Sequence, residues 1–210
     1  MPEWKDKVCF TEEKLTTYDK VIATGSNNTA RYFEYYFKKK PHIIRKTRNG
    51  IAVLDGKETH KDLAALCQDM MQYFGLGCRS VSHLMVPEGY DFNDLFLALY
   101  EHKDLIQHNA YANNYDYNKA VYLMQEQELL ENGFMMFKKD EELNSPIACV
   151  HYSTYTDLKA VKKRLNDQEK QIQCVVSNSV ENAFPFGQTQ HPKLGDYADH
   201  VDTMVFLLKK

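Results

Sequence analysis

The chain has 210 residues, room for one large domain or two small lobes with a core. Its 26 basic residues stand against 29 acidic ones, a formal charge of −3 that excludes broad electrostatic attraction to nucleic acid. No apolar stretch approaches the ~20 residues of a membrane span, Met1-Pro2-Glu3-Trp4-Lys5 has no apolar signal core, and five cysteines without paired spacing fit reduced thiols in a cytoplasm better than a disulfide framework.

In chain order, Tyr18 to Ser26 predicts a short buried strand running into a turn. From Asn27 to Lys40, Ala30, Phe33, Tyr36 and Phe37 recur at helical spacing, and Pro41 ends the helix. The basic cluster Lys38-Lys39-Lys40, Arg45, Lys46 and Arg48 reads as a solvated helix end and loop. Gly50 to Leu54 predicts a strand stopped by Asp55-Gly56. Thr59 then caps a helix whose buried face is Leu63, Leu66, Cys67, Met70 and Phe74, with Gly75 as terminator. Val81 to Val86 reads as a strand, Phe92 to Tyr100 as an amphipathic helix, and Tyr111 to Asn118 as a polar loop. A helix from Lys119 to Glu131 follows, then strands at Phe134 to Phe137 and Ile147 to Tyr152. The last predicted elements are a helix at Thr156 to Asn166 and a strand at Ile172 to Val176. This alternation predicts an α/β layered fold with a largely parallel sheet. The load of 14 Tyr and 11 Phe calls for large packed surfaces or an apolar ligand.

Among the cysteines, Cys78 differs. It lies in Phe74-Gly75-Leu76-Gly77-Cys78-Arg79-Ser80, where glycines let the backbone bend closely round a ligand and Arg79 can supply positive charge. Cys67, Cys149 and Cys174 sit in apolar patterns and read as small hydrophobes, and Cys9 precedes a phenylalanine. Cys78 also follows a predicted helix C-terminus, which disfavours an anion, so activation of its thiol must come from elsewhere. Thr24-Gly25-Ser26-Asn27 joins a strand to a helix, a geometry that suits a phosphate but equally an ordinary N-cap. The eight histidines show no ligand spacing, so no metal site is expected, and His151 reads as a core residue. Glu141 to Pro146 is on its face a charged turn, and Phe184 to Gln190 an apolar turn flanked by amides.

Taken in order, these segments resemble the aldehyde dehydrogenase superfamily. Thr24-Gly25-Ser26 is similar to its "TGS" turn, Gly75-Leu76-Gly77-Cys78 to its catalytic cysteine segment, Glu141 to Ile147 to "EEIFGPV", and Phe184-Pro185-Phe186-Gly187 to "PFGG". More narrowly, Ala23 to Arg31, Tyr73 to Ser82, Tyr111 to Asn118 and Phe186 to Gln190 resemble the fatty acyl-CoA reductases of the bacterial luminescence type, over essentially the whole chain. The resemblance implies an α/β/α catalytic domain with a mostly parallel sheet, plus the tail end of an incomplete Rossmann-like cofactor domain. Its divisions would be 1–56, the remnant of the cofactor domain; 57–182, the catalytic thiol domain; and 183–210, a segment returning to the active site. Within the last, Thr203 to Leu208 would be a strand at a subunit contact of a homo-oligomer.

By the same resemblance Cys78 accepts the acyl group, Thr24, Gly25 and Ser26 meet the diphosphate of NADPH, and Glu141 or Glu142 meets its ribose. Gly77, Arg79 and Phe186 would lie on the substrate side. The acyl group would come from a fatty acyl-CoA or an acyl-protein donor, with an acyl-protein synthetase as a further partner. Two departures stand out. The superfamily's "ELGG" general-base glutamate has no counterpart in Arg45-Lys46-Thr47-Arg48-Asn49-Gly50, which favours reduction over hydrolysis of an acyl thioester. The chain also begins shortly before the TGS strand, so early βαβ units and an oxyanion-hole asparagine are expected to be missing. That leaves two rivals: a truncated paralogue serving as an acyl-binding or assembly partner, and a thiol hydrolase or acyltransferase.

Overall fold

The computed structural model describes residues 7–209, so the Met1–Lys5 stretch read for a signal core lies outside the described residues. The chain forms two compact units, divided between Lys46 and Thr47.

The first unit is a βαβ turn. Strand β1 (Val21–Thr24) pairs in parallel with β2 (His42–Arg45), in register from Val21↔His42 to Thr24↔Arg45, and helix α1 (Asn27–Phe37) connects them. Ser26 caps α1, its Oγ accepting from the Thr29 N–H at 3.2 Å. The helix ends short of the expected Lys40, since the residue before Pro41 disfavours helical geometry. Strand β2 falls where the sequence predicted only a basic loop. Four residues with polar ends carry too little alternation to read as a strand.

The second unit holds a six-stranded sheet in the order β5-β6-β7-β4-β3-β8, parallel except for the β5–β6 pair. Its strands are β3 (Asn49–Val53), β4 (Val81–Pro87), β5 (Leu129–Glu131), β6 (Met136–Lys139), β7 (Cys149–Tyr155) and β8 (Ile172–Val176). Side chains alternate between faces with period two. Ala52, Leu54, Leu84 and Val86 therefore join the main core with helices α2 (His60–Met71), α3 (Asn93–Leu99) and α4 (Asn109–Met124). Ile51, Val53 and Met85 face the other way, toward α5 (Leu158–Asp167). This is the α/β layered fold with a mostly parallel sheet that the alternation predicted, in the α/β/α arrangement that the resemblance implied. Strand β3, expected before residue 57 in the first region, is buried along its whole length between β4 and the edge strand β8 of this second sheet.

Three expectations are corrected. Tyr111 to Asn118 is not a loop but part of α4, because Tyr111 and Tyr115, four residues apart, share one face and are both buried. Their hydroxyls donate to the Phe134 carbonyl and the Glu131 carboxylate, so neither buried phenol is left unpaired. The helix expected to run to Glu131 stops at Met124, and Leu129–Glu131 is instead the antiparallel edge strand. Finally, Thr203–Leu208 is a short helix, α6, not a contact strand. Asp202 caps it, accepting the Val205 N–H at 2.8 Å, and a capped turn satisfies backbone groups that a strand would need a neighbour to satisfy. No helix among the described residues is long and apolar enough to cross a membrane.

Candidate active site

The chain reaches Cys78 through an unusual exit from α2. The helix starts on a capping box, with Thr59 Oγ1 accepting from Asp62 N–H and Asp62 Oδ2 from Thr59 N–H, and it ends at Met71 rather than at Gly75. Tyr73, Phe74 and Gly75 then take φ of 55°, 59° and 72° in succession. Only the glycine adopts that region without strain, and the two aromatics before it take it all the same. Phe74 packs on His108 and Tyr111, at ring-centroid distances of 4.8 and 6.3 Å. The unwound stretch also removes Cys78 from the last turn of α2, where a helix dipole would oppose a thiolate.

Gly77-Cys78-Arg79-Ser80 is a tight turn closed by the Ser80 N–H on the Gly77 carbonyl at 2.9 Å. Strand β3 begins directly beneath it. The Gly50 N–H donates to the Ser80 carbonyl at 3.1 Å. A Cβ on Gly50 would stand 2.6 Å from that oxygen and 2.8 Å from the Arg79 carbonyl, so only glycine fits. Cys78 is exposed on the turn, whereas Cys67, Cys149 and Cys174 are buried. Burial pushes each of those three thiols up to about 12, which leaves them inert near neutral pH. The Cys174 thiol lies under the turn, 3.6 Å from the Arg79 carbonyl.

Arg79 is engaged rather than dangling. Its Nε donates to the Thr189 carbonyl, its guanidinium sits 5.0 Å over the Phe184 ring, and its Nη2 is buried without a partner. Beside it opens a cleft of about 450 Å³, lined also by Gln173, Phe184, Tyr197 and His200. That volume lies within the range of small-molecule sites. The Phe184–Gln190 segment returns to the turn, with Gln190 Nε2 donating to Ser80 Oγ at 3.2 Å. Phe186 is buried in the main core. Asp69, which the sequence reading passed over, anchors this segment from α2. Its buried carboxylate accepts from Gly187 N–H at 2.6 Å, Thr189 N–H at 3.0 Å and Thr189 Oγ1 at 2.8 Å. Burial raises the Asp69 pKa, against the lowering effect of these donors. The available hint was an acid next to Met70 on an otherwise apolar helix face.

Glu141 and Glu142 lie in the loop between β6 and β7. Glu141 pairs with Arg164 at 2.6 Å and is mostly exposed. The Glu142 carbonyl accepts from His83 Nδ1 and His151 Nδ1, each at 3.0 Å, and the Leu143 carbonyl from Ser82 Oγ at 2.8 Å. A carbonyl only accepts, so both imidazoles carry their proton on Nδ1. His83 Nε2 then accepts from Ser153, whose oxygen takes a bond from Arg164 Nη1 at 2.7 Å. Burial depresses His83 to about 4. Both histidines are neutral structural groups, the core role predicted for His151. No group of three or more His, Cys, Asp or Glu suited to a metal occurs among the described residues.

In the first unit, Thr24-Gly25-Ser26 ends β1 at the N-terminus of α1. A Cβ on Gly25 would stand 2.9 Å from Thr29 Cγ2, so the turn is packed tightly on the helix. Two members of the basic cluster form ion pairs: Lys46 with Glu34 at 2.7 Å, and Arg48 with Asp199 at 3.1 Å.

No protein-family model matches the sequence, and no curated protein is similar to it. Solved structures are. The NAD-dependent aldehyde dehydrogenase from Sinorhizobium meliloti aligns with a TM-score of 0.53 at 15% identity, covering 82% of this chain and 41% of that one. Aldehyde dehydrogenase KauB from Pseudomonas aeruginosa aligns at 0.52 and 13% identity, over 71% and 38% of the two chains. An indole-3-acetaldehyde dehydrogenase in complex with NAD+ gives 0.51 and 13%, also over 71% and 38%. The fold is thus aldehyde-dehydrogenase-like, and the chain spans about two fifths of the length of these enzymes.

Proposed function

We propose that this chain carries the catalytic thiol of a nicotinamide-dependent oxidoreductase working at the aldehyde level, and more narrowly of an NADPH-dependent fatty acyl-CoA reductase. The observation that carries the reading is Cys78: an exposed thiol on a tight turn in an aldehyde-dehydrogenase-like fold, next in the chain to Arg79, which lines an open cleft, with three of the other cysteines buried and inert. The Cys78 thiolate attacks the thioester carbonyl, the bond to the CoA sulfur breaks, and CoA leaves as its thiol after taking up a proton. Covalent catalysis divides one displacement into two easier steps. The Cys78 N–H is the local donor for the developing oxyanion, and one such donor is worth about 2.7–4 kcal/mol. When bound, the cofactor supplies the hydride that takes the acyl group to the aldehyde.

Thr24, Gly25 and Ser26 hold its diphosphate in this reading. Glu142, whose carbonyl is fixed and whose side chain is exposed, suits the ribose better than Glu141, which Arg164 already engages. No carboxylate lies in Arg45–Gly50 to activate water against the thioester. An acyl-CoA or acyl-protein donor and an acyl-protein synthetase are the partners proposed with it, in a homo-oligomer. The test is incubation with labelled myristoyl-CoA: label should become covalently attached, and a Cys78→Ala variant that still takes it defeats the assignment. Chasing the acylated protein with NADPH or NADH should release aldehyde, faster with NADPH. Release as free fatty acid without a reductant would favour the hydrolase instead.

A further inference from the structure

We propose that Asp69 is the positioning residue of the Cys78 turn, acting through the loop of residues 187–190. The proposal rests on the reading of Cys78 as the acyl acceptor. A carboxylate on the buried face of a helix is a poor packing group, since an apolar residue of similar size would avoid desolvating a charge. What it adds is orientation. All three donors that Asp69 accepts come from the loop, and together they fix the peptide planes entering Gly187 and Thr189. The loop lies close on the helix at that point: a Cβ on Gly187, at φ 79°, would stand 3.1 Å from Ala65 Cβ.

The loop so held meets the turn on both sides of the thiol. After Cys78, the Thr189 carbonyl takes Arg79 Nε and Gln190 reaches Ser80 Oγ. Before Cys78, a Cβ on Gly77 would come within 3.3 Å of Gln190 Nε2. Asp69 thus touches nothing that reacts, yet two bonded steps connect it to the residues flanking Cys78. Thioester attack needs the sulfur about 3–3.5 Å from the carbonyl in the right direction, so a loosened turn slows attack even while the thiol stays accessible.

The test uses the full chain with Asp69→Asn, which sets an amide N–H₂ against a donor, and the milder Thr189→Val, which removes only the hydroxyl bond. Amide exchange at Gly187 and Thr189 should quicken about tenfold or more in Asp69→Asn, and exchange at Ser80, whose N–H closes the turn, should quicken with it. Acylation of Cys78 by myristoyl-CoA should slow about tenfold or more, and about twofold to threefold in Thr189→Val. Alkylation by iodoacetamide, a small reagent that needs only an accessible thiol, should change by less than about twofold. Faster exchange at Gly187 and Thr189 with Ser80 and acylation unchanged would overturn the proposal. So would a parallel fall in acylation and alkylation with loss of protection in β3 and β4, which would make Asp69 a residue of the fold alone. If the parent protein takes no acyl label, the acyl-acceptor reading fails by itself, and the Ser80 exchange decides the role of Asp69.

Discussion

Two loops packed near the start of β4 are strapped down by buried polar side chains, and the straps have opposite character. The 187–190 loop is held by an anion, Asp69, which takes its N–H groups; the 141–143 loop is held by two neutral imidazoles, which donate to the Glu142 carbonyl. The difference lies in what a proton does. Protonating Asp69 removes a buried charge and one acceptor; protonating His83 creates a buried charge and abolishes the acceptor that Ser153 needs. One strap is held at a cost in desolvation, the other by staying neutral.

The largest expected effect is beneath the Cys78 turn itself. Gly50→Ala drives a Cβ into two backbone oxygens that cannot move aside, and should cost about 2–4 kcal/mol in denaturant unfolding. Asp69→Ala, which leaves three donors unmet at once, should cost about 2–3 kcal/mol, tempered by relief of the buried charge.

The pH dependence should separate the two straps. His83 binds its proton less well folded (about 4) than unfolded (6.5), so its contribution is intact above pH 6.5 and lost as pH falls through 4. At 1.36 kcal/mol per pK unit this amounts to roughly 3 kcal/mol, and His83→Leu should flatten that limb of a stability–pH profile. Asp69 has the reverse sign. Its raised pKa favours the folded state most below its unfolded value, and that contribution is lost as pH rises through the folded one. A pH profile of Asp69→Asn minus the parent should therefore slope opposite to that of His83→Leu. The smallest effect belongs to Glu141→Gln: its own side chain is largely in solvent, and unfolding should shift by less than about 0.5 kcal/mol.

Strands β3, β4, β7 and β8 and helices α2, α3 and α5 were legible because their apolar residues keep one period over several positions. The part of helix α4 before Lys119 was not, since its Asn and Tyr residues read locally as loop formers. Asn118 in fact donates to the Ile147 carbonyl, a partner 29 positions away. The edge strand β5 and the short helix α6 carry too few residues for any period to register.

At the candidate site the same division holds. Local sequence determined the bend at Gly77-Cys78, the cap at Ser26 and the burial of Cys67, Cys149 and Cys174, because glycine freedom, capping chemistry and apolar patterning act over a few neighbouring residues. Tertiary structure alone decided that Arg79 faces Thr189 and Phe184, that Phe186 is core, and that Asp69 and His83 hold loops far along the chain. Those are pairings of a donor with a distant acceptor. A buried polar side chain states in the sequence that it needs a partner, but only the folded chain determines which one it meets.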